Sequence, residues 1–409
     1  RLQGDWSSDV CSSDLSSGNL FGELPGAIAG TVYLDANNNG SHDGGENGIA
    51  GVTLTLTGTG VDASTISRTT TTDASGNFRF DDLPAATAAG YVLTEQSAQP
   101  SVTVLSSSVT TLNGITSAGT GAGTASGVNT TPSNINGIAV SAGAIVTGNL
   151  FAEVLPVSMS GRVFVDVAND GVFSGGTDSG IAGQTVTLTG TDDLGGAVSR
   201  NLTTAADGTY AVTDLRPGTY TLTQPNQPAG TANGITTAGS GGGTATAPTV
   251  TPSVIAGVVL TTPGAASNNN LFAEIPANGS ITARVWLDAN NNGVIDAGEA
   301  GIANVTVNLS GTLANGNTFA ANTVTDANGN ASFTGLAQGS YALTEPTQPA
   351  GTLNGRTIAG TAGGTATAPA ATPSAVTGIV LGANQAASGY LFGEIAPATI
   401  SGQIGRAHV

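Results

Sequence analysis

Two short stretches of this sequence carry oxygen-bearing side chains at a spacing that suits a hard cation. One runs Asp35-Ala36-Asn37-Asn38-Asn39-Gly40-Ser41-His42-Asp43-Gly44-Gly45-Glu46, and the other runs Asp288-Ala289-Asn290-Asn291-Asn292-Gly293-Val294-Ile295-Asp296-Ala297-Gly298-Glu299. Both place oxygen donors at positions 1, 3, 5, 9 and 12 of a twelve-residue loop with glycine at position 6, the pattern of a calcium loop. Calcium takes six to eight oxygens, which a chain supplies by curling alternate side chains inward around a glycine bend. The expected ligands are Asp35, Asn37, Asn39, Asp43 and Glu46 with the Ser41 carbonyl. In the second stretch they are Asp288, Asn290, Asn292, Asp296 and Glu299 with the Val294 carbonyl. One such match reads as easily as an Asn/Gly turn that binds nothing; two in register make Ca2+ the expected cofactor.

A third stretch departs from the pattern. Asp166-Val167-Ala168-Asn169-Asp170-Gly171 has no oxygen at position 3, Thr177 stands at the last ligand position, and the run to the next Gly-Ile-Ala-Gly is one residue longer. Asp166, Asp170 and Asp178 are expected to make a weak site or none.

Other chemistry is poorly supplied. All nine basic residues are arginine, the net charge is −18, and no basic cluster exists, so a nucleic acid would be repelled. The sole cysteine, Cys11, rules out an internal disulfide. Only His42 lies within the repeating part of the chain, and it is expected to be a solvated loop side chain. The acidic residues of the loops read better as ion ligands than as a glycosidase pair. On this inventory the chain is not expected to be an enzyme. Tyr33, Phe164 and Trp286 share one strand position, where they would form either a sugar-stacking platform or a ring covering the second sheet face. No run approaches the roughly 18 apolar residues of a membrane span.

The elements that must position these loops recur. A Leu-Phe-x-Glu ending appears at Phe21, Phe151, Phe272 and Phe392, about every 120 residues, each time ahead of a short apolar strand that stops at an Asp. Period-two alternation marks Val52 to Thr57, Val186 to Thr189 and Val305 to Leu309 as strands with one wet face. Turns at Asp73-Ala74-Ser75-Gly76, Ala206-Asp207-Gly208 and Asp326-Ala327-Asn328-Gly329 lead into further strands. Seven to nine short strands per repeat indicate an all-β chain of tandem antiparallel β-sandwich repeats, immunoglobulin-like or prealbumin-like, arranged end to end. The expected inward residues of the first repeat are Val32, Leu34, Val52, Leu54, Leu56, Phe78, Phe80, Leu93, Ile138 and Phe151.

The expected domains are repeats at 28–157, 158–278 and 279–398, with the tail of a preceding repeat at 16–27 and the start of another at 399–404. Residues 1–15 and 405–409 match no repeat and read as non-native scars.

The ordered combination of Gly30 to Asp35, the acidic loop, Gly48-Ile49-Ala50-Gly51-Val52, Thr72 to Phe78 and Leu93-Thr94-Glu95 resembles the SdrD B-like repeat, a Cna B-type, prealbumin-like sandwich of bacterial surface proteins. The resemblance implies an extracellular, cell-surface or secreted stalk with bound calcium. Relatives of that type often form a Lys–Asn isopeptide bond promoted by a buried acid; this chain has no lysine, so that crosslink is chemically impossible. Glu95 and Glu345 stand where the acid would be, Gln224 replaces it in the second repeat, and a strand-end hydrogen bond or a further calcium contact is expected of them.

The leading expectation is therefore a spacer whose partners are its own neighbouring repeats. The alternative is an adhesive module whose Gly/Thr-rich loops, such as Gly239 to Pro252, bind a host or matrix ligand. A carbohydrate-binding appendage is a third option. The likeness of residues 237–248 to residues 357–368 favours the spacer over variable adhesive loops.

Overall fold

The computed structural model describes residues 24–401 apart from residue 129. The proposed scars, Cys11 and most of the preceding tail lie outside the described residues. Two compact units are present. One comprises the described residues up to Pro156 with Thr262–Gly264; the other comprises Val157–Thr261 with the described residues from Ala265 on. Among the described residues every regular element is a strand, and no helix is long and apolar enough to cross a membrane.

In the first unit the strands are β1 (Gly26–Leu34), β2 (Thr53–Thr59), β3 (Thr65–Thr71), β4 (Asn77–Leu83), β5 (Tyr91–Glu95), β6 (Ser101–Val104), β7 (Ser107–Thr110), β8 (Leu112–Ser117), β9 (Thr124–Ala125), β10 (Asn134–Ile138) and β11 (Ile145–Val154). One sheet has the order β4-β1-β11-β8 and the other β3-β2-β5-β10-β9, with β6 and β7 forming a separate ribbon. The second unit holds two further sandwiches of the same order, beginning at Val157–Val165 and at Gly279–Leu287. Pairing is antiparallel except for one pair per repeat: β1 runs parallel to β11, as Val157–Val165 does to Ala266–Pro276 and Gly279–Leu287 to Ala386–Ile395.

The alternation read from the sequence produces the core. In β2 Leu54 and Leu56 are buried while Thr53 and Thr55 are half-buried; Val32, Val52, Phe78, Phe80, Leu93, Ile138 and Phe151 meet them between the sheets, with Leu34 packed at the margin. Each such side chain contributes about 1.5–3 kcal/mol relative to exposure. The exposed threonines give cross-strand β-branched neighbours on the wet face.

One local device sets the position of the acidic loop. After Glu46 the chain returns beside β1, where Leu34 N donates to Asn47 O and Ile49 N to Val32 O, both at 2.9 Å. It is wedged against the 73–76 turn, where a Cβ on Gly48 would stand 1.9 Å from the Ser75 carbonyl oxygen. Gly76, at φ 76°, is equally confined: its Cβ would lie 2.2 Å from Val32 O. Gly180 with Gly208, and Gly301 with Gly329, make the same close approach in the other repeats. The Gly-Ile-Ala segment is thus a clasp that closes the loop onto the end of the first strand.

Candidate metal centre

The three carboxylates of the first loop fold inward onto its backbone. Asp35 Oδ1 accepts Asn39 N at 3.2 Å, and its Oδ2 accepts Gly40 N at 2.7 Å. Glu46 spans the loop, taking Ala36 N on Oε1 and Asp43 N on Oε2, both at 2.9 Å. Asp43 Oδ2 collects the side-chain amides of Asn37 at 3.0 Å and Asn39 at 2.8 Å. Those two amides, Asn39 foremost, hold the Asp43 carboxyl below its ordinary range, with a smaller contribution from His42.

The third repeat reproduces the pattern. Asp288 accepts Asn292 N and Gly293 N, Glu299 spans Ala289 N and Asp296 N, and Asp296 collects Asn290 and Asn292 at 2.9 and 2.8 Å. Asn290 and Asn292 lower the Asp296 pKa in the same way.

The donor set suits a hard cation: carboxylates, carboxamides and a main-chain carbonyl within one curled loop. It is not an all-oxygen cage as it stands, because the amide nitrogens face Asp43 and Asp296 while the Oδ1 atoms of Asn37 and Asn39 accept Asn39 N and Ser41 N. Among the described residues no three acidic, histidine or cysteine side chains form a metal-holding group, so any ion needs the asparagines and the Ser41 or Val294 carbonyl as well.

In the second repeat Asp178, not Thr177, takes over the spanning role of the terminal glutamate. It accepts Val167 N at 3.1 Å and Ser174 N at 2.7 Å, and the extra residue is Thr177, between the Gly175-Gly176 pair shared with the first loop and Asp178. Asp166 accepts Gly171 N and Asp170 accepts Val172 N, but Ala168 offers no donor. A strict count of positions puts Thr177 at the last ligand position and Asp178, expected as a weak ligand, beside it; backbone geometry rather than register makes Asp178 the carboxylate that spans the loop.

The residues below the loop decide between the two readings of the aromatic position and refine the reading of His42. Tyr33, Phe164 and Trp286 are completely buried, so they form no sugar platform. Each lies beneath its loop, and in the first two repeats it carries the residue at position 8: His42 lies 4.7 Å from Tyr33 and Phe173 5.4 Å from Phe164, ring to ring. His42 is exposed but not merely solvated, since its Nε2 also lies 3.1 Å from the Glu46 carbonyl oxygen. The floor differs in what it offers the last carboxylate. Trp286 Nε1 donates to Glu299 Oε2 at 3.2 Å, the buried Tyr33 hydroxyl has no hydrogen-bond partner among the described residues, and the Phe164 side chain has no polar atom.

A buried polar chain lies in each core. Glu95 accepts Ser133 Oγ and Glu345 accepts Ser374 Oγ, at 2.6 and 2.9 Å, which places both in structural bonds away from the loops. Glu153, Glu274 and Glu394, the acids of the Leu-Phe-x-Glu endings, are fully buried. Thr111 donates to Glu153, Gln227 to Glu274, and Gln348 and Thr352 to Glu394. Glu345 repels the Glu394 carboxylate in the core, which favours a retained proton on Glu394; in the second repeat Gln224 stands in place of that acid, and its Nε2 donates to Glu274 at 2.6 Å. Burial pushes Glu95 and Glu274 up to about 7 and, with repulsion from Glu345, Glu394 to about 8. The sequence flagged one member of each pair for a role and the other only as the acid of the recurring Leu-Phe-x-Glu ending; the two lie some 50 positions apart on different sheets, so nothing local marks them as partners.

Fold and loop together define a class of tandem β-sandwich repeat with an acidic loop clasped to the end of its first strand. The chain belongs to the SdrD B-like domain family, whose profile matches residues 26–143, 157–273 and 279–388. Serine-aspartate repeat-containing protein D of Staphylococcus aureus (strain Newman) is 30% identical over 312 residues, covering 76% of this chain and 21% of that protein. Serine-aspartate repeat-containing protein F of Staphylococcus epidermidis is 29% identical over 323 residues, covering 76% and 16%. The chain thus matches roughly a fifth of the length of these relatives. Among solved structures, the major pilin subunit BcpA of Bacillus cereus aligns with 91% of this chain and 100% of its own, at 13% identity and a TM-score of 0.32. The TIE protein of Bacillus anthracis aligns with 91% and 51%, at 12% identity and a TM-score of 0.35.

Proposed function

We propose that these repeats are a non-catalytic, calcium-stabilised spacer of a bacterial cell-surface or secreted protein, working outside the cell to hold another part of that protein at a distance. The observation that carries this reading is the pair of acidic loops in repeats 1 and 3, which share one hydrogen-bond pattern and one order of oxygen-bearing side chains at the same point of the fold. Asp35, Asn37, Asn39, Asp43, Glu46 and the Ser41 carbonyl would hold one ion; Asp288, Asn290, Asn292, Asp296, Glu299 and the Val294 carbonyl would hold another. Bound calcium would neutralise the crowded carboxylates and staple the clasp to the first strand.

At an extracellular-module affinity near 0.1 mM, about 1 mM calcium would stabilise each site by about 1.4 kcal/mol. That is a useful fraction of a small domain's margin. The Gly/Thr-rich segments favour a spacer over free adhesive loops, because Thr244–Ala245 pairs with Ser253–Leu260 and Thr365–Ala366 with Ser374–Leu381.

Melting of the whole chain in calcium and in chelator tests the reading, with Trp6→Phe leaving Trp286 as the only indole. Calcium is expected to raise the transition and change Trp286 emission. The double change Asp288→Ala with Glu299→Ala is expected to remove the emission response. Identical curves with and without calcium would remove the metal from the proposal.

A further inference from the structure

Repeats 2 and 3 share one compact unit, and the Asn315 side chain of the third reaches into the second. The hairpin joining Thr306–Leu313 to Thr318–Val324 turns through Ala314, Asn315 and Gly316, with Gly316 N donating to Leu313 O at 2.9 Å. Hairpin tips are ordinarily wet. Asn315 is nevertheless only 7% exposed.

Its two polar atoms have separate tasks. Oδ1 accepts Asn317 N at 3.0 Å and shapes the turn, while Nδ2 leaves its own repeat and donates to the Asn233 carbonyl at 2.6 Å. Asn233 lies in Thr231–Thr237 opposite Glu274, and its own side-chain amide is held by Pro248 O and Val250 O at 3.0 and 2.9 Å. A second bond comes from the other side: Asn169 Nδ2, in the acidic loop of repeat 2, donates to Ala314 O at 3.2 Å. Asn169 has φ 53°, a left-handed conformation that asparagine tolerates. The tip therefore sits in a notch walled by the acidic loop, the Thr231–Thr237 strand and the segment around Thr249, whose methyl would lie 3.7 Å from a Cβ on Gly316.

The corresponding hairpin of repeat 2 closes with the same bonds, Asp192 N to Gly196 O and Gly195 N to Asp192 O, as Leu313 N to Asn317 O and Gly316 N to Leu313 O in repeat 3. That correspondence puts Leu194 where repeat 3 has Asn315. Leucine has no hydrogen to donate, so the bond to a main-chain carbonyl belongs to this joint and not to the repeat in general.

We propose that Asn315 is the latch of the joint between repeats 2 and 3: the notch formed by the Asn233 carbonyl and the Asn169 amide is a docking surface for a hairpin tip with an amide side chain, and it fixes the angle between the two repeats. Because the partners are tethered, docking is intramolecular and two modest bonds suffice to hold it. The inference needs no metal and stands or falls apart from the calcium reading.

Asn315→Asp is the decisive change. It keeps Oδ1 for the turn but sets a carboxylate oxygen against the Asn233 carbonyl, where a hydrogen bond becomes a repulsion. The measurement is the distance distribution between nitroxide labels at exposed Ser199→Cys and Ala320→Cys in the full chain carrying Cys11→Ser. A narrow distribution in the parent that broadens severalfold in Asn315→Asp, with the melting of repeat 3 retained, is the expected result. Asn169→Ala, made entirely within repeat 2, is expected to broaden it too and decides the matter if Asn315→Asp perturbs its own hairpin. A parent distribution already broad, or variants as narrow as the parent, would overturn the latch.

Discussion

At the scale of single residues, the informative positions are buried polar atoms whose partners differ between repeats. Tyr33 keeps a hydroxyl under the first loop with no hydrogen-bond partner among the described residues, whereas repeat 2 places Phe164 there. An unsatisfied buried hydroxyl costs stability, so Tyr33→Phe is expected to raise the stability of repeat 1 by about 1 kcal/mol. Urea unfolding at constant slope measures it, and a lowered midpoint would show that the hydroxyl is used. The buried glutamates make a second case. Their folded pKa values, about 7 for Glu95 and Glu274 and about 8 for Glu394, lie above the 4.5 of an ordinary glutamate. Their contribution is therefore fully present below about pH 4.5 and is lost as pH rises through about 7 to 8. Asp43 and Asp296 are shifted downward and act only below that window. In chelator the chain should melt higher near pH 5 than above pH 8. Glu345→Gln, which copies Gln224, should flatten the fall in repeat 3 by removing the repulsion on Glu394; an unchanged pH slope would contradict that repulsion.

At the scale of elements, the clasp concentrates the steric demands of the fold. A side chain at Gly76 meets the Val32 carbonyl and the Gly48 backbone at once, in a conformation that L-residues avoid. Gly76→Ala is expected to cost about 1–3 kcal/mol or more, read as a lowered melting temperature of repeat 1 alone. This level also shows what the sequence could disclose. Strands such as Thr53–Thr59 were legible because period-two alternation is a local property, and so were the acidic loops, whose donors lie within twelve residues. The parallel alignment of β1 with β11 was not, since it joins residues some 120 positions apart and leaves no mark on either strand. Asp178 was legible as a candidate ligand but not as the residue that spans its loop, because an inserted residue shifts the register while the clasp holds the end of the loop in place.

At the scale of the whole chain, the calcium reading predicts uneven behaviour along the array. Removing calcium should speed hydrogen exchange in the first strands of repeats 1 and 3 and leave repeat 2, with Ala168 in its loop, nearly unaffected. Equal responses in all three would show that the ligand set does not decide binding. The parallel pair at the centre of each sandwich has a mechanical consequence. Because β1 and β11 are neighbours running the same way, the chain comes in at one pole of the repeat and departs from the opposite pole. Tension between those poles drags the two strands past each other along their length, so the ladder bonds between them share the load instead of opening singly like a zip. A tether made this way resists tearing through its topology, even with neither a disulfide nor a lysine to crosslink it.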